Sequence, residues 1–122
     1  MRNFRNLDIW NNAIELAKGI YLLTSKLPST EKYGLVSQMQ RAAISISSNI
    51  AEGASRRTEN DFARFLDIAL GSSFELETQL IITKEIGFIT QDELDTQLNF
   101  LNILQKQINT LVTKIRRTAA SN

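Results

Sequence analysis

Residues 36–53 read Val-Ser-Gln-Met-Gln-Arg-Ala-Ala-Ile-Ser-Ile-Ser-Ser-Asn-Ile-Ala-Glu-Gly, and this stretch is the clearest indication of the fold class. Its apolar side chains recur at intervals of three and four residues, namely Val36, Met39, Ala43, Ile46 and Ile50. This spacing lines up one face of an α-helix. The alternation over residues 44–47, which is typical of a strand, is short and lies inside the longer helical register. The stretch therefore predicts an amphipathic helix.

Three other segments carry the same helical period. The predicted helices cover about 7–26, 30–52, 59–86 and 91–117, followed by a frayed tail over 118–122. Their boundaries rest on capping and stop signals: Pro28, Gly53, Gly87, Thr58 with Asp61, and Thr90 with Glu93. Because the connections are short, we predict an all-α, antiparallel up-down-up-down four-helix bundle that forms one domain over residues 1–122.

Two of these helices show more apolar surface than one bundle needs. In helix 1 the core row is predicted to be Leu7, Trp10, Ile14, Ala17 and Tyr21, and in helix 3 it is predicted to be Phe62, Leu66, Ala69, Ser73, Leu76 and Leu80. Each helix has a second apolar row, which predicts a contact between subunits at Ile9, Leu16, Ile20, Leu23, Leu70, Phe74 and Ile81. The alternative is that helices at the corners of the bundle bury more than one row within the protomer.

The amino-acid composition excludes many kinds of catalytic and metal-binding site. The 122 residues include no cysteine and no histidine, which excludes disulfides, thiolate nucleophiles, imidazole bases and the usual zinc sites. The Glu-x-x-His motif of di-metal bundles is absent as well. We therefore predict no catalytic residues, no metal, no cofactor and no small-molecule substrate. Charged residues near the start, such as Arg2 and Glu15, and the lack of a long apolar run favour a cytoplasmic protein without a membrane partner.

Charge is unevenly distributed, although the net charge is only +1. In an antiparallel bundle one end gathers a set of basic side chains, Arg2, Arg5, Arg56, Arg57, Arg64, Lys114, Arg116 and Arg117. This basic end is a candidate surface for an RNA or DNA backbone, which a ring of subunits would multiply. The structural alternative is that some of these cations only complement helix C-termini. Aromatic interleaving, which single-strand binding usually needs, is missing here apart from Phe4.

Two segments resemble a known family. Residues 38–53 and residues 61–80, which read Asp-Phe-Ala-Arg-Phe-Leu-Asp-Ile-Ala-Leu-Gly-Ser-Ser-Phe-Glu-Leu-Glu-Thr-Gln-Leu, are similar to the hallmarks of the proteins named for the intervening sequences of 23S ribosomal RNA genes. The resemblance implies a four-helix bundle that assembles into a homopentamer. It also marks a set of motif residues that we interpret as structural or interfacial: Gln38, Arg41, Ser45, Asn49, Glu52, Gly53 and Glu75.

A related branch of that family, the accessory variability proteins of diversity-generating retroelements, binds a reverse transcriptase and is markedly basic, whereas this chain is nearly neutral. The leading hypothesis is a non-enzymatic homo-oligomer whose basic end meets RNA, DNA or a nucleic-acid enzyme such as a reverse transcriptase. The alternative is a purely structural or adaptor oligomer without a nucleic-acid role.

Overall fold

Four long helices account for most of the chain in the computed structural model, which describes residues 1–121. Helix α1 spans Asp8–Thr24, α2 spans Ser37–Ala54, α3 spans Glu59–Glu85 and α4 spans Gln91–Ser121. A short 3-10 turn at Phe4–Asn6 precedes α1, and no strand occurs among the described residues. The all-α class and the four helices are confirmed.

The helices pack in chain order around one core. Helices α1 and α3 each contact both α2 and α4, so the sides of the bundle are α1/α2, α2/α3, α3/α4 and α1/α4. The short connections make successive helices antiparallel neighbours. As a consequence, the α1/α2 side lies opposite the α3/α4 side. None of the helices in the described part of the chain combines the length and the apolar character that crossing a bilayer requires.

Local side-chain chemistry sets the ends of α3 and α4. The backbone N–H of Asp61 donates to Oγ1 of Thr58 at the start of α3. At the start of α4, Glu93 N–H donates to Thr90 Oγ1 while Thr90 N–H donates to Glu93 Oε1, which completes a capping box. Two residues after the last residue of α3, Gly87 has a left-handed φ of 90°, and the N–H groups of Gly87 and Phe88 close a Schellman motif.

Three boundaries differ from the prediction. A 3-10 turn at Ser29–Glu31 and a π-helical turn at Lys32–Val36 replace the first part of the continuous helix expected from residue 30, because Gly34 adopts a non-helical backbone (φ −110°, ψ −110°). At the other end, α2 continues through Gly53, which is helical rather than the left-handed terminator expected there. Helix α4 extends through residues 118–121 of the predicted tail, and Asn122 lies outside the described residues.

The core register of α1 is the largest correction. Ile9, Leu16, Ile20 and Leu23 are buried at 6% exposure or less, together with Ala13. The row that was expected in the core, Leu7, Trp10, Ile14, Ala17 and Tyr21, is half-buried or exposed. The structure therefore places the second row in the core and leaves the row expected in the core nearer the surface. The four side chains expected at a subunit interface already belong to the protomer's own core, so they have little surface left for a second subunit.

The other helices bury most of the residues predicted in their cores, although Val36, predicted in the core of helix 2, is half-buried. All six core positions expected in α3 are buried. In α4 the helical period of the sequence predicts a core of Leu94, Leu98, Leu101, Ile108, Val112 and Ile115. All of these are buried except Leu98, which is half-buried, and Leu104 is buried although it was not predicted.

Candidate functional site

A groove runs between α3 and α4 on the surface of the bundle. It has a volume of about 490 Å³ and is lined by Leu70, Phe74, Asn102, Gln105, Lys106 and Asn109. Below it, Gln105 Nε2 donates to Glu77 Oε1 at 2.9 Å, which ties the two helices together. Phe74 remains 56% exposed although it is a large apolar side chain. The structure thus brings together two of the predicted interface residues, Leu70 and Phe74, in what we call the α3/α4 groove.

The third predicted interface residue of α3 lies further along the same row. Leu70, Phe74, Glu77 and Ile81 are spaced by four, three and four residues, which places them on one side of the helix. Ile81 is 40% exposed. The apolar row therefore continues past the groove toward the end of α3.

A second apolar surface lies on the opposite side of the bundle. Thr24 accepts a hydrogen bond from Gln40 Nε2 at 3.2 Å, which shows that the row of α1 ending at Thr24 faces the α2 side. We call this surface the α1/α2 face; it consists of Trp10, Ile14, Ala17 and Tyr21 from α1 and Gln40, Ile44, Ser47 and Ala51 from α2. Tyr21 and Ile44 are 45% and 44% exposed. The sequence predicted that helix 1 has one apolar row more than the core needs. The row outside the core is the one that contains Trp10 and Tyr21, and not the one that was predicted.

Part of the polar row of α2 joins α2 to α3. The hydroxyls of Ser45 and Ser72 lie 2.8 Å apart, and Asn49 Nδ2 donates to both the carbonyl oxygen and the hydroxyl of Ser45. Gly53 is buried against the side chains of Phe62 and Phe65. Ser45 and Gly53 thus contact α3, whereas Asn49 is hydrogen-bonded within α2.

The remaining motif residues are more exposed. Glu52 forms an ion pair with Arg56 one helical turn later, and Glu75 accepts from Gln79 Nε2 at 3.3 Å. Gln38 and Arg41, which lie on α2 like Glu52, are exposed. Gln79 is 7% exposed, and its Oε1 atom is buried without a hydrogen-bond donor among the described residues.

Half of the predicted basic end is neutralised within the protomer. Each of four arginines forms an ion pair with a carboxylate: Arg2 with Glu59, Arg56 with Glu52, Arg64 with Asp61 and Arg116 with Asp67. The hydrogen bond from Arg2 lowers the pKa of Glu59, against a smaller opposing effect of burial. The hydrogen bond to Asp67 raises the pKa of Arg116. These shifts are the electrostatic consequence of the pairing.

Aromatic rings also hold some of these arginines. The guanidinium carbons of Arg56 and Arg64 each lie 4.7 Å from the centre of the Phe65 ring, and that of Arg2 lies 5.1 Å from the centre of Phe62. The sequence did not reveal the contacts of Arg2 and Arg56, because these arginines lie outside the helix that carries Phe62 and Phe65. The rings face the arginines and are buried, so they offer no platform for stacking bases.

Three cations of the basic end keep their charge available. Within the described residues, Arg5, Arg57 and Lys114 have no carboxylate within 4.0 Å. Lys114 also lines a cleft of about 440 Å³ between the start of α3 and the end of α4, together with Arg2 and Asn60. The basic end therefore has fewer free positive charges than the eight predicted from sequence.

The described residues do not bring acidic side chains together for metal binding or proton transfer. No group of three or more Asp and Glu residues could hold a metal ion there. The two carboxyl groups with a shifted pKa, Glu59 and Glu93, both have it lowered, by Arg2 and by the Thr90 backbone N–H, respectively. The bundle thus has exposed apolar side chains on two sides and positive charge at one end.

Comparison with known proteins agrees with this architecture. A crystal structure of a protein of unknown function from the S23 ribosomal protein family of Bacteroides thetaiotaomicron superposes with a TM-score of 0.77 and 22% sequence identity, covering 85% of this chain and 97% of that one. No curated protein matches the chain in sequence. The sequence pattern of the 23S rRNA-intervening sequence proteins matches residues 5–110. The chain belongs to the family of 23S rRNA-intervening sequence proteins.

Proposed function

We propose that this protein is a non-enzymatic binding module that acts as a homo-oligomer, with the five subunits that the family resemblance implies. The observation that carries the proposal is the exposure of large apolar side chains on two opposite sides of the bundle. Phe74 is 56% exposed on one side, and Tyr21 is 45% exposed on the other. Contiguous apolar surface of this kind typically marks a protein contact.

The chemistry of the described residues supports a binding role over catalysis. A general acid or base usually shows a pKa moved toward neutrality by burial, whereas Glu59 and Glu93 have a pKa moved further from neutrality. The α3/α4 groove is lined by amides and apolar side chains, and Lys106 is the titratable side chain in its lining. Such surfaces position other molecules and do not transfer protons.

Sedimentation velocity at micromolar concentration tests the oligomer. We expect a single species several times heavier than the 13.8 kDa protomer. A species of protomer mass at that concentration would contradict the proposal. Circular dichroism of the same sample establishes that the helices are folded, so that a low mass reports loss of association alone.

A specific observation favours a second role, the binding of a nucleic-acid backbone at the basic end. Arg5, Arg57 and Lys114 have no carboxylate partner among the described residues, and assembly brings several copies of them together. Backbone binding of this kind weakens steeply as salt increases. If these cations bind phosphates, an RNA or DNA oligomer will bind with an affinity that falls linearly on a logarithmic plot against salt.

The variant that tests this role is Arg5→Ala/Arg57→Ala/Lys114→Ala. Arg56 and Arg116 are left in place, because their removal would expose the carboxylates of Glu52 and Asp67. We expect a shallower salt dependence and weaker binding than wild type. The control, Lys18→Ala/Lys32→Ala/Lys84→Ala, removes the same charge elsewhere and should bind like wild type. Lys18 and Lys84 are paired with Glu15 and Glu85, so circular dichroism of this variant checks that it stays folded. Equal binding and equal salt dependence in both variants would favour the adaptor role without nucleic acid.

A further inference from the structure

We infer that the α1/α2 face of one copy packs into the α3/α4 groove of a second copy, so that the subunits associate head to tail. The inference rests on the proposed homo-oligomer and names the two surfaces that form its contact. Both surfaces belong to every copy, and they lie on opposite sides of the bundle. A contact between two different faces repeats from copy to copy and closes into a ring when the rotation allows it.

The two surfaces are chemically complementary in their hydrogen-bonding groups. On the α1/α2 face, the indole N–H of Trp10 and the hydroxyl of Tyr21 have no hydrogen-bond partner within the described residues. In the groove, the side-chain amides of Asn102 and Asn109 are equally without partners in that part of the chain. Tyrosine and tryptophan combine an apolar ring with one polar atom that requires a partner when it is buried. Amide oxygens at the edge of an apolar groove supply such partners.

Charge points to the same pairing. Lys106 lines the groove, and no carboxylate among the described residues lies within 4.0 Å of it. An ammonium group of this kind is attracted to the face of an aromatic ring, and the α1/α2 face supplies Trp10 and Tyr21. The rows that form that face carry no lysine or arginine. A symmetric contact of groove against groove would instead bring two copies of Lys106 close together, which is unfavourable.

Apolar contact supplies the remaining complementarity. The groove holds Leu70 and the 56% exposed Phe74, and the opposing face presents Tyr21 and Ile44 at 45% and 44% exposure. Interfaces are typically built around a few such apolar and aromatic anchors with a polar rim. Ile44 and Tyr21 come from different helices, so the face presents a ridge that is wider than one helix.

Two variants test the pairing, each with one surface disrupted. Tyr21→Lys/Ile44→Lys disrupts the α1/α2 face, and Phe74→Lys/Ile81→Lys disrupts the groove side; all four side chains are at least 40% exposed. The matched control is Leu22→Lys/Ile103→Lys, which makes the same chemical change at two exposed residues outside both surfaces. Circular dichroism and thermal unfolding of all three variants report whether the helices remain folded.

Each disrupted variant alone should sediment as a folded protomer, because every head-to-tail contact needs both surfaces. When the two variants are mixed in equal amounts, the intact groove of one can bind the intact α1/α2 face of the other. The mixture should therefore form a complex of twice the protomer mass and nothing larger, because the remaining two surfaces are disrupted. The control should keep the mass of the wild type. The inference is wrong if either disrupted variant dimerises alone, or if the mixture stays at protomer mass while the wild type is oligomeric. In both cases the proposed homo-oligomer is not contradicted. A wild type of protomer mass contradicts the proposed function itself.

Discussion

Gly53 of α2 lies so close to Phe65 of α3 that a Cβ atom built on Gly53 would be 2.6 Å from Cβ of Phe65. It would also be 3.0 Å from Cδ1 of Phe62. Since β-carbons do not approach one another at this distance, a side chain at residue 53 would push the two helices apart. The glycine therefore sets the spacing between α2 and α3 near the basic end, although it does not terminate the helix.

Gly53→Ala should lower the free energy of unfolding by about 1–3 kcal/mol, because the methyl group overpacks the contact with Phe65. Gly71→Ala is the matched control, since Gly71 is also helical and a Cβ there meets nothing within 4 Å. That control should raise the free energy of unfolding by about 0.5–1 kcal/mol through helix propensity. Urea unfolding monitored by circular dichroism measures both. A Gly53→Ala variant as stable as Gly71→Ala would show that the helices are not in close contact there.

The two apolar rows of α1 give a second prediction. Ile20→Ala should destabilise the protein by about 2–5 kcal/mol, because Ile20 is fully buried and its truncation leaves a cavity. Ile14→Ala removes the same atoms from a half-buried position of the other row and should cost clearly less. Chemical denaturation of both variants at one protein concentration decides between the registers. The reverse order of the two losses would restore the register predicted from sequence.

Gly87 provides a third prediction, because its φ of 90° is unfavourable for residues that have a Cβ atom. Gly87→Ala should lower the free energy of unfolding by about 1–2 kcal/mol. Gly87→Asn should cost less, since asparagine tolerates the left-handed region better. Thermal unfolding of the two variants measures the difference. An alanine variant as stable as wild type would mean that α3 ends in another conformation.

Acid should weaken the contact between Arg2 and Glu59. The pKa of Glu59 is lowered from 4.5 in the folded protein, mainly by the hydrogen bond from Arg2. A carboxyl group with a lowered folded pKa stabilises the protein above its unfolded pKa, and this contribution is lost as the pH falls through the folded value. The effect should be within about 1 kcal/mol, because the side chains of Arg2 and Glu59 are 38% and 52% exposed and solvent screens the pair.

Glu59→Gln should therefore lose part of the dependence of stability on pH below about 4.5, compared with wild type. Arg2→Ala should lose the same part, and the double variant should lose no more than either single one. Urea unfolding between pH 3 and 7 measures the three variants. Unchanged pH dependence in Glu59→Gln would show that the pair does not form in solution.

The sequence predicted the helices well because their ends depend on local chemistry. Thr90 and Glu93 are three residues apart, and this spacing predicts their reciprocal hydrogen bonds. Thr58 and Asp61 have the same spacing, and one bond forms there, from the Asp61 N–H to Thr58 Oγ1. Helix α2 starts differently from the prediction because Gly34 leaves the helical backbone inside an otherwise helical pattern. The helical period of the apolar residues does not reveal that a single residue inside the pattern has a non-helical backbone.

The surfaces were harder to predict for two physical reasons. Helix α1 has two apolar rows, and the period alone does not indicate which one faces the core; the row with the bulky Trp10 and Tyr21 proved to be the outer one. Two of the four ion pairs at the basic end join distant segments, Arg2 with Glu59 and Arg116 with Asp67, the latter across 49 residues. A count of charges along the chain therefore overestimated the free positive charge at that end.

The most direct test of the central claim, that this bundle associates with copies of itself through two opposite faces, is the mass of the wild-type protein in solution. Sedimentation velocity over a range of micromolar concentrations measures it without a label. We predict one species whose mass is a multiple of 13.8 kDa and stays constant over that range. A folded species of 13.8 kDa at every concentration would contradict the claim.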